Sequence, residues 1–323
     1  MVAGFRIYAA ARLLARCLAV SVQPAARDGF RVLGDALVWL TETWERVRAA
    51  NSSGWTPGSP AAVEAAADSG RWGPSAGRNA HVDGLLPLAS ATDHLATLAD
   101  VLRSPRGFFA SYTLARGALE ASSRTWYLLA PGIAPDERAR RRVNERLYSL
   151  HAQVLLLDAV GEPMDEAKQL IDQLLDGPAR RGEHVKRAKG FDPPYIQQKR
   201  PTEMSLLREM TADAEDGVDV GGASYRLLSG VAHAVAYGLV QLIEPIGHAW
   251  EPGVSRGQVN QSSVLTAAHF LAVPLAFVQA AGRVIEDYGW DATSWQEPVV
   301  AALTAWRDHS QLMEAAALAP HPG

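Results

Sequence analysis

The stretch FFASYTLARGALEASSRTWYLLA, Phe108 to Ala130, decides how this chain folds. It contains no proline, it stops at Pro131-Gly132, and from Gly107 onward its only formally charged residues are Arg116, Glu120 and Arg124. A helix that is apolar or small-residued on most sides is one that other helices cover. The i, i+4, i+8 spacing places the three charges within about 80° of one another, as a single polar stripe. Buried charge is costly unless it is paired and hydrogen-bonded. The stripe is therefore expected to face a cleft or a partner helix, with Glu120 paired to either arginine. A solvent-facing salt-bridge ladder is the plainer alternative, but a solvated helix carries more charge than this.

Outward from that helix the same periodicity recurs. Phe30 to Ala49 places Val32, Leu33, Leu37, Leu40, Trp44 and Val47 on one face. A short Ala-rich helix with Glu64 lies between loops at Asn51–Pro60 and Ser69–Asn79. Further helices are expected at Asp83–Arg103, Pro135–Val160, Pro163 to about Leu175, Glu203–Ala214, Ala223–Ile243, Val259–Tyr288 and Ser294–Ala317. Pro135 suits a first helical turn, Asp136 and Glu137 suit its positive end, and Pro274 should kink the helix that contains it. Only Gly247–Val254 suggests a short ribbon. The expected fold class is all-α, a helical bundle whose core includes the helices at Phe108, Ala223 and Val259. Residues 1–82 read as an N-terminal helical region with loops and 83–323 as the main bundle, unless the two form one continuous domain.

Composition narrows the function classes. The 323 residues carry 31 basic and 35 acidic side chains, a net charge of −4, with 48% apolar and 20% charged residues. That balance excludes intrinsic disorder and a generally basic nucleic-acid binder, while leaving room for a local patch. A single cysteine, Cys17, excludes an intrachain disulfide and a Cys-cluster zinc site. Phosphate loops, nucleophile elbows, paired-Asp motifs and His-Glu-x-x-His are missing, so neither metal nor cofactor is expected. Arg6, Arg12 and Arg16 interrupt what would be a signal-peptide core, and the basic N-terminus reads as a first helix lying on the domain. Leu227–Ile243 and Val264–Ala281 hold much Ala, Ser and His, and mean hydropathy is −0.06, so both read as buried core helices rather than membrane spans. A cytoplasmic protein is the expectation.

A second stretch carries chemistry: SYRLLSGVAHAVAYGL, Ser224 to Leu239. On one helix Arg226 and His233, seven apart, lie within about 20°, and Ser229 shares their face. An imidazole titrates near neutrality, and a guanidinium beside it stabilises an anion. Arg226, His233 and Glu120 are thus candidate catalytic groups for acid–base work on a phosphodiester. Arg116, Arg124, Ser229, Trp126 and Tyr127 are candidate substrate contacts, the two aromatics for a planar ligand. The plainer reading makes His233 a core residue and pairs Arg226 with Glu120, and it outweighs the sharper one when the pair is taken alone. A Ser229–His233–Glu120 triad lacks the strained Gly-flanked elbow. His269 reads as a satisfied core residue. PDERARRRVNER, residues 135–146, reads as a solvated helix face. The basic segment Arg180–Arg200 reads as a mobile surface loop before a phosphate-tracking patch.

The segments ATDHLATLADVL, SYTLARGALEASSRTWYLLAP, ERARRRVNERLYSL and YRLLSGVAHAVAYGL together resemble a family of uncharacterised helical proteins common in high-GC bacteria, over about residues 90–245. The Arg-x6-His pair, Arg226 and His233, resembles the active-site motif of the HEPN superfamily. That resemblance implies a helical, dimeric protein that binds RNA or nucleotide and in many members cleaves RNA without a metal. It implies Arg226 and His233 as the catalytic pair, with Glu120 in support from a neighbouring helix. Two other functions stay open: a non-catalytic module binding a small molecule or protein partner in a pocket lined by Arg116, Glu120, Arg124, Trp126 and His233, and a biosynthetic enzyme with an apolar, aromatic-lined cavity.

Overall fold

A computed structural model describes residues 25–67, 70–104, 108–212, 219–245, 257–259 and 262–318. The basic N-terminal helix expected before residue 25 and the ribbon expected at Gly247–Val254 lie outside these residues. Among the described residues the architecture is all-α. In chain order the helices are α1 (Ala25–Ala50), α2 (Pro60–Ala66), α3 (Ala76–Arg103), α4 (Phe108–Leu128), α5 (Pro135–Val160), α6 (Asp165–Arg180), α7 (Glu203–Met210), α8 (Val220–Ala232), α9 (Ala236–Leu239), α10 (Ser263–His269), α11 (Ala272–Tyr288) and α12 (Thr293–Leu318). Two small antiparallel ribbons accompany them: β1 (Val185–Lys186) with β2 (Tyr195–Ile196), and β3 (Ile243–Pro245) with β4 (Gly257–Val259).

The near charge-free helix α4 is the centre of the bundle, packed against α3, α7, α8 and α11, while α1 lies between α3 and α12. Its Tyr112, Ala115 and Leu119 are fully buried. One apolar cluster joins Leu33 and Trp44 of α1, Leu95 of α3, Leu119, Phe277 of α11 and Trp306 of α12. Apolar burial on this scale, at roughly 25 cal/mol per Å², is the main stabilising term. A smaller cluster, Val143, Leu147, Leu175 and Ile196, seats the first ribbon on α5 and α6.

Several helix boundaries differ from the periodicity reading: α3 begins at Ala76, inside the loop expected at Ser69–Asn79, and three others differ for a clear local reason. The expected helix Val259–Tyr288 is two helices meeting at a bend of 45°. Pro274 has no N–H for the Phe270 carbonyl, and Val273 donates to that carbonyl instead at 2.8 Å. The expected helix Ala223–Ile243 stops at Ala232: Ala234 takes a left-handed φ of +52°, and the chain turns back on itself. Glycine makes the reversal possible. A Cβ on Gly238 would lie 2.5 Å from the Gly230 backbone, and one on Gly230 would strike the Tyr237 ring. In the third case α6 continues through Gly177 and Pro178 to Arg180. No single helix among the described residues is long and apolar enough to cross a membrane; α10 and α11 reach that length only together, across their bend.

The block at residues 135–146 is not a solvated face throughout. Arg138 and Arg140 are buried. Arg140 binds Glu137 and donates to the Ile196 carbonyl at 3.0 Å, while Arg138 reaches inward to Glu64. Arg141 and Arg142 keep partial exposure, bonded to Glu137 and Asp83. The basic segment is likewise not a loose loop, because Asn144 grips the ribbon's backbone: it accepts from Ile196 N at 2.9 Å and donates to the Ile196 and Gln198 carbonyls.

Candidate functional site

Helices α4 and α8 pack together, and where the α4 stripe meets the end of α8 a polar cluster reaches the surface. Arg116 Nε donates to Glu120 Oε1 at 2.8 Å, one helical turn away. Tyr225, from α8, donates its hydroxyl to the same oxygen at 3.1 Å, and its ring lies 5.6 Å beneath the Arg116 guanidinium. Arg116 Nη1 meets His233 Nε2 in a short contact. Burial works against the Arg116 charge, but the Glu120 carboxylate and the Tyr225 oxygen outweigh it and raise the guanidinium's pKa. Burial, then the nearby Glu120 carboxylate, pushes the Tyr225 phenol upward, so it keeps its proton. Arg116, Glu120 and Tyr225 are half-buried, whereas His233 is exposed.

The position of His233 follows from the glycine-driven reversal. It is the residue at which α8 stops, its N–H bonded to the Ser229 carbonyl at 3.0 Å. The turn presents its imidazole to Arg116 across the gap between helices. Arg226 does not join it. Its guanidinium is exposed and its Nε approaches Met204 Sδ of α7 at 3.3 Å. The two ends of the Arg-x6-His motif therefore touch different elements, and Arg116 rather than Arg226 is the cation beside the histidine. Glu120 binds Arg116 and Tyr225, so neither the expected Arg226–Glu120 pair nor a Ser229–His233–Glu120 triad forms. Ser229 lies half-buried on α8.

The remaining stripe member, Arg124, pairs with Glu203 of α7 at 3.4 Å, and its buried Nε has no partner. Trp126 and Tyr127, expected to contact a planar ligand, are part of the packed interior instead. Both are buried in the main core, and Arg141 covers the Tyr127 ring at 4.6 Å. Tyr225 was missed although it stands next to Arg226; eight residues before His233, it falls within about 80° of it on a helix, and that geometry was its only signal.

A second, sealed polar group joins four helices. His81 of α3 is fully buried, its Nδ1 2.5 Å from Asp287 of α11 and its Nε2 3.1 Å from Glu64 of α2. Glu64 also takes Arg138 of α5 at 2.9 Å, and Arg138 donates to the Leu128 carbonyl at 2.8 Å. Burial opposes a charge on His81, but its two carboxylate partners prevail and raise its pKa; Glu64, against the same opposition, is lowered by His81 and Arg138. A second buried histidine, His269, behaves oppositely. It is bonded to the Tyr112 hydroxyl at 2.9 Å, and burial alone pushes its pKa down to about 4. Among the described residues no three His, Cys, Asp or Glu side chains converge to hold a metal ion.

In comparisons with protein-family models, with curated proteins and with solved structures, the chain matches none of them.

Proposed function

We propose that this chain is a HEPN-like helical protein that binds RNA or a nucleotide phosphate at the Arg116–Glu120–Tyr225–His233 cluster. The observation that carries this is the juxtaposition of Arg116 and His233 at the exposed end of α8. A guanidinium locked by Glu120 and a phenol offers a fixed positive charge to a phosphate. An imidazole beside it is suited to take a proton. On an RNA strand held there, the 2′-hydroxyl gives its proton to His233 as its oxygen attacks phosphorus. The bond from phosphorus to the 5′-oxygen breaks, and that oxygen takes a proton from water. Arg116 offsets the charge that grows on the phosphorane. Glu120 touches no substrate in this scheme and is a positioning residue for Arg116.

The test incubates mixed-sequence RNA in EDTA with wild type, His233→Ala and Arg116→Ala. Cleavage should survive the chelator and leave a 2′,3′-cyclic phosphate. Each substitution should slow it on the order of 10²–10³-fold. Intact RNA with the wild-type protein removes the nuclease step, and absence of binding to labelled RNA removes the reading altogether. A second reading, a non-catalytic module for a protein partner, is favoured by the side chains beside His233: Val235, Tyr237 and Val240 are all large, apolar and exposed.

A further inference from the structure

The most exposed large apolar side chain among the described residues is Phe191, at 88%. It stands at the tip of the first ribbon, in the two-residue turn Gly190-Phe191. Lys189 and Asp192 close that turn with reciprocal backbone bonds of 3.1 and 3.0 Å, and Gly190 supplies a φ of +58°. Lys199 bonds Asp192 at 3.1 Å and holds its carboxyl below the usual range, with Lys186 and Lys189 adding to the effect, so lysines outnumber the one acid beside this exposed ring. At the other end of the ribbon Asn144 and Arg140 hold Ile196 in place. Two ladder pairs would not make a stable hairpin alone; here the bundle clamps its base, and the tip projects from a fixed support.

The hairpin is joined to the candidate site. Arg200, just past β2, bonds Glu145 and Glu203, and Glu203 pairs with Arg124 of the α4 stripe. Burial opposes the Glu203 charge, yet Arg200 holds its pKa below the usual carboxylate range.

We infer that this hairpin is a second contact for single-stranded RNA, with Phe191 stacking on a base and Lys186 and Lys189 meeting phosphates. A lone aromatic ring raised among excess lysines is complementary to a flexible polyanion that carries flat apolar faces. The inference rests on the reading of the Arg116–His233 cluster as an RNA site, and it extends that site to a longer strand.

The measurement is fluorescence anisotropy of a labelled, unstructured RNA 20-mer with the full chain. Phe191→Ala should bind about tenfold more weakly, and Phe191→Trp should bind like wild type. Lys186→Ala/Lys189→Ala should reduce the slope of log affinity against log salt by about 1.4, or about 0.7 for each lost phosphate contact. Melting temperatures should not move. If the hairpin variants bind like wild type while Arg116→Ala and His233→Ala weaken binding, the hairpin inference falls and the cluster reading stands. The reverse pattern keeps the hairpin and removes the cluster. Binding of the wild-type protein to phosphatidylserine vesicles but not to RNA overturns the inference and assigns the tip to lipid.

Discussion

The sealed group around His81 and the open cluster around His233 are made of the same kinds of side chain: a histidine, an arginine and a carboxylate. They differ in access to water. His81 has both ring nitrogens bonded to carboxylates, and Arg138 closes the chain of contacts onto a backbone carbonyl. Every strong donor there is spent on a fixed partner, which ties α2, α3, α5 and α11 together. His233 has one fixed partner, Arg116, and the rest of its ring faces solvent. The difference teaches that residue types do not mark a reactive site by themselves. An unsaturated, accessible donor set does, and the sealed set is the one expected to carry stability.

The largest test of that contrast is Asp287→Ala. It leaves one side of the His81 imidazolium unpaired in a sealed interior, and the loss should be about 3–5 kcal/mol in chemical denaturation, as when other buried pairs are broken. A melt equal to wild type would erase the distinction between the two regions.

Next in size is the pH response of the buried histidines, which should run in opposite directions. His269 is lowered from an ordinary value of 6.5 to about 4. Its contribution is complete above pH 6.5 and is lost as pH falls toward 4, on the order of 3 kcal/mol. His81 is raised, so its contribution is present at low pH and disappears as pH rises through its folded-state value. His269→Gln, which retains an acceptor for Tyr112, should flatten the acid side of the stability profile; His81→Gln should flatten the alkaline side. Equal profiles for wild type and both variants would contradict the two environments.

Glu120→Ala sharpens the comparison from the open side. The Arg116 and Glu120 side chains keep 22% and 26% of their exposure, so water replaces the lost partner. The expected cost is about 1 kcal/mol or less, and a loss as large as that of Asp287→Ala would class the stripe with the sealed group. Smallest of all should be His233→Ala: a change within about 0.5 kcal/mol in denaturation, alongside the loss of RNA cleavage. A large destabilisation would make His233 a structural residue.

Helix periodicity was readable wherever long amphipathic or apolar runs dominate. Pro135–Val160 matches α5 residue for residue, and Phe108–Ala130 contains α4 with two residues to spare. The reversal after Ala232 was not readable in the same way, because VAHAVAYG suits a helix by propensity. The close approach of Gly230 and Gly238 decides it, and that is a property of three-dimensional packing. The stripe on α4 was legible from its spacing, and the arginine–carboxylate bond it implies is present. Arg226 was placed wrongly for a related reason: angular position on a helix says where a Cα lies, while a long guanidinium chooses among neighbours that only the fold supplies. His81 and Asp287 are separated by 206 positions, and nothing local links them.

The carboxamide of Asn144 has one further consequence. It takes over, for Ile196, the bonds that a neighbouring strand's peptide would make. The ribbon thus behaves like a loop mounted on a frame: its attachment is specified by α5 and α6 and not by the residues at its tip. Gly190 and Phe191 are accordingly a natural graft point. Exchanging them for another two-residue turn of different chemistry should leave the melting temperature of the bundle unchanged while altering what the protein adheres to, whereas Asn144→Ala should release the whole element, detectable as faster amide exchange at Ile196.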